Sequence, residues 1–389
     1  MNILIIPSWY PQFEGDIGGS FFKEQAEQLA IHYPQNNFMV LQVQFNLSTK
    51  SWIKKFLTLN LKLQCEVTNV FHNLTEIRIS NFCIPYFASP ETKAAKRLHS
   101  ILNKLEFYPN VIHAHSAWNG GYIAMELAKI AECKYLITEH MEPFPWQIPL
   151  FVNNNGKLTN KIRAPLENAN AVIAVSNSLA DRIAAFDIKR PVVLHNLVNE
   201  QKFKPIQKKK TRDSFHLLSI GALIPQKGMD ILLNVFSEVC NVEPSLRLTI
   251  VGDGEQKNEL IQLANELKIA NLVNFVGLVN RNEIVDYYHN ADCFVLASRG
   301  ETFGVVYAEA IACGLPIIAT RCGGSEDIIN PKNGILTEIN KNELSNAIIE
   351  IYRNQNKYDK VQIREDFLQR FSSNVICQQI MNIYKDLQQ

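Results

Sequence analysis

The sequence predicts an α/β protein built from two doubly wound domains. Three observations carry this. The 389 residues exceed what one hydrophobic core ordinarily organises, so two domains of usual size are expected. Short β-branched runs alternate with amphipathic helical stretches along the chain. The alternation happens twice, divided by a polar and basic break at 196–214, NLVNEQKFKPIQKKKTRDS.

In the first half the strand-like runs lie at 2–8, 37–44, 76–82, 111–116, 134–140, 170–176 and 192–196. In the second half they lie at 215–221, 246–254, 273–277, 293–298, 316–320 and 334–338. Runs that are apolar almost end to end suit strands buried on both faces, which means parallel sheets flanked by helices. Between them, SFFKEQAEQLAIHY (20–33) and GMDILLNVFSEVC (228–240) show helical periodicity. The Lys208-Lys209-Lys210 run in the break reads as a solvated linker rather than a nucleic-acid site.

Composition narrows the class. A hydrophobic share of 47% and a charged share of 20% are those of a soluble globular chain, and a net charge of +1 gives no pointer to nucleic acid. The eight cysteines are scattered without metal-ligand spacing, which predicts reduced thiols in the cytoplasm. The N-terminus has neither the basic start nor the long apolar run of a signal peptide, and no stretch of about 18 apolar residues exists to span a bilayer. One segment suggests peripheral contact with the inner membrane face or a lipid-linked acceptor. In TKSWIKKFLTLNLKLQ (49–64), Trp52, Ile53, Phe56 and Leu57 fall near one helical face with Lys50, Lys54 and Lys55 beside them. An ordinary packed helix with snorkelling lysines explains the same pattern.

Doubly wound sheets bind ligands beyond the carboxyl ends of their strands, so two such domains facing each other suit a reaction that joins two substrates. The motifs fall at those ends. In SIGALIPQKGMDILL (219–233) a strand ends near Gly221, and Lys227-Gly228 leads into a helix. That places a cation beside free helix N–H groups, a setting for an anion such as a diphosphate.

The segment SRGETFGVVYAEAIACGLPIIAT (298–320) is more specific. A strand ends at Ser298, a loop holds Glu301, and a helix follows that Gly314 and Pro316 close. Glu309 lies inside this helix among Val306, Ala308, Ala310 and Ala312, where a carboxylate is costly unless something binds it. Sugar hydroxyls suit both carboxylates, and the helix start at Phe303-Gly304-Val305 suits phosphate oxygens. A nucleotide-sugar needs this set of contacts.

On the other wall, His113 and His115 are taken to point to opposite faces of their strand, with His115 at the cleft. Glu139 and His140 end a further strand and are acceptor-side candidates, with a structural role the competing reading. No metal site is expected: the histidines lack a partner pair at ligand spacing, and no Asp-x-Asp occurs.

The Glu301-x₇-Glu309 pair, the GALIPQKG loop, VGDG (251–254) and CGGSEDII (322–329) resemble the retaining glycosyltransferases of family 4. GDIGGSFFKEQAEQLA (15–30), VIHAHSAWNGGYIA (111–124), VSNSLADRI and LHNLVNEQKFKP extend the resemblance over almost the whole chain. It implies the GT-B fold, with an acceptor domain at 1–197, a donor domain at 198–372 and a final helix at about 373–389 packing back on the first domain. It implies no cofactor and a nucleotide-diphosphate sugar as substrate, UDP- or GDP-linked, passed to a sugar, glycan or lipid-linked acceptor.

The resemblance also implies roles. Glu309 would hold the ribose hydroxyls and Glu301 the transferred sugar, with backbone contacts from Phe303, Gly304 and Val305. Lys227 would neutralise the diphosphate, helped by backbone N–H groups near Gly18 and Gly19. Backbone around Val279 would face the base, and His115 would lie beside the reacting sugar. The family often has an arginine where this chain has Ala222, and Arg299 is the candidate substitute. The alternatives are a GT-B sugar-nucleotide epimerase and a non-catalytic partner that binds nucleotide-sugar.

Overall fold

The apolar runs become two separate sheets in the computed structural model, which describes residues 1–13, 16, 18–45, 64–82, 90–206 and 214–389. The first sheet contains β1 (Asn2–Pro7), β2 (Asn37–Phe45), β3 (Gln64–Phe71), β4 (Leu74–Phe82), β5 (Val111–His115), β6 (Lys134–Glu139), β7 (Ala171–Ala174) and β8 (Val192–Val193). Their order is β3-β4-β2-β1-β5-β6-β7-β8, parallel except for the β3–β4 pair. The second sheet is parallel throughout: β9 (Phe215–Ile220), β10 (Leu246–Val251), β11 (Val273–Gly277), β12 (Cys293–Leu296), β13 (Ile317–Thr320) and β14 (Gly334–Thr337), in the order β11-β10-β9-β12-β13-β14.

The first strand of each sheet sits centrally, between β2 and β5 or between β10 and β12. The chain winds out one way and then crosses to the other side. That reversal leaves a crevice at the strands' carboxyl ends. Burial on both faces explains the apolar runs: Ile3, Leu4, Ile5 and Ile6 of β1 are all buried, as are Cys293, Phe294, Val295 and Leu296 of β12.

The first sheet is covered by α1 (Ser20–His32), α2 (Pro90–Lys104), α3 (Tyr122–Ala131), α4 (Asn160–Asn168) and α5 (Asn177–Ala184). The second half contributes α6 (Met229–Val242), α7 (Lys257–Glu266), α8 (Ile284–His289), α9 (Val305–Ala312), α10 (Ser325–Ile328), α11 (Lys341–Arg353), α12 (Lys360–Arg370) and α13 (Ser373–Asp386). The last of these returns to the first sheet. Ile376, Ile380, Met381 and Tyr384 of α13 share a core with Ile3, Phe22 and Val40, and the Tyr384 hydroxyl lies 2.7 Å from His113 Nδ1. Val198 pairs with Ser372 where the chain crosses in both directions. Arg364 of α12 holds the outgoing strand by donating to the carbonyls of Glu200 and Phe203.

One strand lies outside the sequence expectation. β3 pairs antiparallel with β4 at the sheet edge, and its residues 65–69 are exposed, so it has no continuous apolar run to read. The amphipathic stretch 49–64 and the Lys208-Lys209-Lys210 run lie outside the described residues, apart from Gln64, which opens β3.

Candidate functional site

The second domain's wall of the cleft is built from two loops and a helix start. After β9 the chain makes a single tight turn, Pro225–Lys227, ended by Gly228 at φ 63°. A Cβ at Gly228 would stand 1.9 Å from the Ala297 carbonyl oxygen, so only glycine lets this loop lie against the end of β12. The close approach brings Lys227 Nζ to 2.6 Å from Glu301 Oε1, which also accepts the Ser298 hydroxyl at 2.8 Å. Glu301 is 5% exposed, and its backbone N–H donates to the Cys322 carbonyl.

Three residues on, Gly304 at φ 84° opens α9; a Cβ there would meet the Tyr307 ring at 2.4 Å. No side chain caps α9, and its first turn holds no acidic residue. Its leading N–H groups and the positive end of its dipole are therefore open to an anion.

Glu309, one turn further along α9, is fully buried. The Tyr288 hydroxyl donates to its Oε2 at 2.7 Å, and Arg281 Nη1 forms an ion pair with its Oε1. Burial pushes the Glu309 carboxyl up, against the pull of Arg281. Arg281 reaches across the domains, donating from Nε and Nη2 to Glu24 of α1 at 3.0 and 3.1 Å, with its guanidinium 5.1 Å from the Phe203 ring. Val279 is half-buried in the same loop, two residues away.

Both domains line the cleft, an open space of about 600 Å³ including the solvent at its mouth. Lys227, Glu301, Thr302, Phe303, Gly304, Val305 and Val306 stand on the second domain's side, opposite Phe21, His140, Val175 and Asn196. Thr302 closes one end, its hydroxyl donating to the His140 carbonyl at 3.3 Å and to Glu142 Oε2 at 3.1 Å. Asn177 of α5 ties a second point, its N–H donating to Asp327 of α10 at 2.6 Å. Glu309 is not part of this lining; Arg281 covers it. Gly19 caps α1 and the Gly18 N–H donates to Asp16 Oδ1 at 2.8 Å, a short way from Phe21 at the cleft edge.

The facing wall corrects three sequence expectations. His113 and His115 do not point to opposite faces: residues two apart on a strand share a face, and their rings lie 4.5 Å apart, centroid to centroid. His115 does not reach the cleft directly. It is fully buried, its ring 4.5 Å from Phe22, and its Nδ1 lies 3.2 Å from Nε2 of His140, which is the histidine that lines the cleft. Burial lowers the imidazoles of His113 and His140 to about 3 and pushes His115 down as well, so all three are neutral.

Glu139 is not free to meet an acceptor. It is fully buried, accepting the N–H groups of Ala117, His140 and Met141 at 2.8–2.9 Å, which fixes the turns after β5 and β6. On the second domain's wall, Arg299 does not take the place beside Lys227 that the resemblance suggested for it. Its guanidinium forks onto Asp230 at 2.7 and 2.9 Å instead of joining Lys227.

Arg281, Asn196, Phe21 and Thr302 escaped the sequence reading. Arg281 sits in a polar loop, NRNE, with no local pattern, and only the tertiary fold brings it to two acidic partners. Among the described residues, no group of three or more His, Cys, Asp or Glu side chains is placed to hold a metal ion, and no helix is long and apolar enough to cross a membrane.

Two doubly wound domains facing across a cleft of this build define the GT-B class of glycosyltransferase. The chain belongs to glycosyltransferase family 4: the family's own model matches residues 60–202, and the model for glycosyl transferases group 1 matches 200–365. An uncharacterised glycosyltransferase of Methanocaldococcus jannaschii is 26% identical over 311 residues, spanning 77% of this chain and 84% of that protein. Among solved structures, sucrose-phosphate synthase of Thermosynechococcus elongatus matches with a TM-score of 0.78 at 21% identity, covering 100% of this chain and 99% of that one. Anabaena HepE, in complex with UDP and glucose, matches at 0.72 with 20% identity, covering 99% of this chain and 100% of that one.

Proposed function

We propose that this glycosyltransferase takes a sugar from a UDP- or GDP-sugar and passes it, with retention and without a metal ion, to a glycan, glycolipid or other small acceptor. The observation that carries the reading is the Lys227–Glu301 pair beside the uncapped start of α9, inside a cleft shared by both domains. An arriving diphosphate gives Lys227 a doubly charged partner in place of Glu301, and the α9 N–H groups take the remaining oxygens. Glu301, released from the lysine, accepts hydroxyls of the sugar. Glu309 takes the ribose.

No protein nucleophile is required if the acceptor attacks the face from which the diphosphate leaves, with a donor phosphate oxygen receiving the acceptor's proton. His140, neutral and lining the opposite wall, would hydrogen-bond the sugar rather than add charge. The UDP in the HepE structure favours a uridine donor among the nucleotides to test.

Thermal unfolding against a panel of UDP-, GDP- and ADP-sugars tests the donor assignment. A ligand at 100 times its Kd stabilises the folded state by about 2.7 kcal/mol. A rise with a UDP- or GDP-sugar, weakened in Glu301→Gln, supports the assignment; no response to any nucleotide-sugar contradicts it. Donor that changes configuration without acceptor would indicate the epimerase instead.

A further inference from the structure

We propose that Arg281 sets donor affinity by competing with the ribose for Glu309, and that Glu24 on the opposite domain retains the guanidinium when the nucleotide displaces it from Glu309. The inference rests on the reading that Glu309 is the ribose carboxylate.

A ribose diol needs free acceptor positions on that carboxylate, and this structure offers few. Oε2 holds the Tyr288 hydroxyl at 2.7 Å, and Oε1 faces Arg281 Nη1. The carboxylate has no solvent exposure, and it is absent from the residues lining the cleft. Donor entry therefore requires Arg281 to move.

The geometry also shows where it goes. Only Nη1 engages Glu309, whereas Nε and Nη2 together grip Glu24 at 3.0 and 3.1 Å. Glu309, fully buried, exerts the stronger pull on the guanidinium charge, but it holds the guanidinium at one point only. The Glu24 pairing is a two-point fork of the kind that holds arginine firmly. Lys202 Nζ lies 3.6 Å from Glu24, and the Phe203 ring lies against the guanidinium. Releasing Nη1 thus leaves the cation paired.

Arg281 belongs to the loop between β11 and α8 in the second domain, whereas Glu24 belongs to α1 in the first. The helix carrying Glu24 also places Phe21 at the cleft. Nucleotide binding would accordingly strengthen a bond between the domains at the moment the donor is held.

The test is calorimetric titration of UDP and GDP, each beside its 2′,3′-dideoxy analogue, into the wild type, Arg281→Gln, Glu24→Gln and Glu309→Gln. Arg281→Gln is expected to bind the ribonucleotide about tenfold tighter, equivalent to ~1.4 kcal/mol. Glu24→Gln is expected to bind it several-fold more weakly, because the displaced guanidinium loses its charged partner. A merely structural salt bridge would move both variants in the same direction. Weaker or unchanged binding by Arg281→Gln, or tighter binding by Glu24→Gln, overturns the proposal. Glu24→Gln leaves both partners of Glu309 in place, so it decides the question even if Arg281→Gln does not fold. Equal affinity for the ribo and dideoxy nucleotides, with no loss in Glu309→Gln, would instead show that Glu309 does not hold the ribose.

Discussion

Replacing Lys227 by Met separates the two partners of the pair at the centre of the site. The ammonium stands 2.6 Å from Glu301, and the two side chains are 22% and 7% exposed. Its loss has two effects, worked separately. Turnover loses a charge-assisted hydrogen bond to the leaving diphosphate, worth about 1.5–3 kcal/mol, so kcat/KM should fall about 10- to 150-fold. Stability loses the partner of a buried carboxylate. Breaking a fully buried pair costs about 3–5 kcal/mol, and the exposure of Lys227 reduces this to ~2–3 kcal/mol.

The double variant Lys227→Met/Glu301→Gln removes the stranded charge, so it should regain most of the stability and none of the activity. Transfer kinetics and urea unfolding, measured on the same preparations, read the two effects independently. Lys227→Met with kcat/KM within about twofold of the wild type would refute the assigned role. Recovery of activity in the double variant would show that the single variant failed through destabilisation alone.

Gly228→Ala places a methyl group where the Ala297 carbonyl stands and requires φ 63° of a residue that disfavours it. Lys227 should be displaced and transfer cut at least about tenfold, checked by the same kinetics. Acid stability should report the buried imidazoles. His113 and His140 titrate near 3 in the folded state and near 6.5 when unfolded, so the unfolded chain binds more protons in between. Their stabilising contribution is complete above about 6.5 and is lost as pH falls toward about 3, at ~1.4 kcal/mol per pH unit for each histidine. Urea midpoints at pH 7 and 5.5 measure this, and His113→Gln/His140→Gln should show a shallower dependence. Chelation with EDTA should leave transfer within about twofold; activity abolished by EDTA and restored by a divalent cation would contradict the metal-free mechanism.

The two sheets were legible because their strands are buried on both faces, and continuous apolar runs such as Ile3–Ile6 and Cys293–Leu296 announce that environment directly. Strand β3 was not, because an exposed edge strand needs no such run. The second domain's wall was legible as backbone where its signals are local: Lys227, Gly228, Glu301 and Gly304 each lie in a turn or helix start whose residues indicate its conformation. Arg281 was hidden because its partners, Glu24 and Glu309, lie on separate helices 257 and 28 residues away in the chain. The histidines show a different limit. Their strand was plain, but a period of two places His113 and His115 on one face, and the packing of Phe22 over His115 decides which ring meets the cleft. Arg299 was near Glu301 in sequence, yet Asp230 on α6 holds it elsewhere.

The central claim is transfer from a nucleotide-sugar with retention, in a cleft whose charges are Lys227 and Glu301. Proton NMR of the product formed from an α-linked UDP- or GDP-sugar and a glycan or glycolipid acceptor tests it most directly. The account predicts an α-configured anomeric signal in the product, lost in Glu301→Gln. A β-configured product, or an α product undiminished by Glu301→Gln, would contradict it.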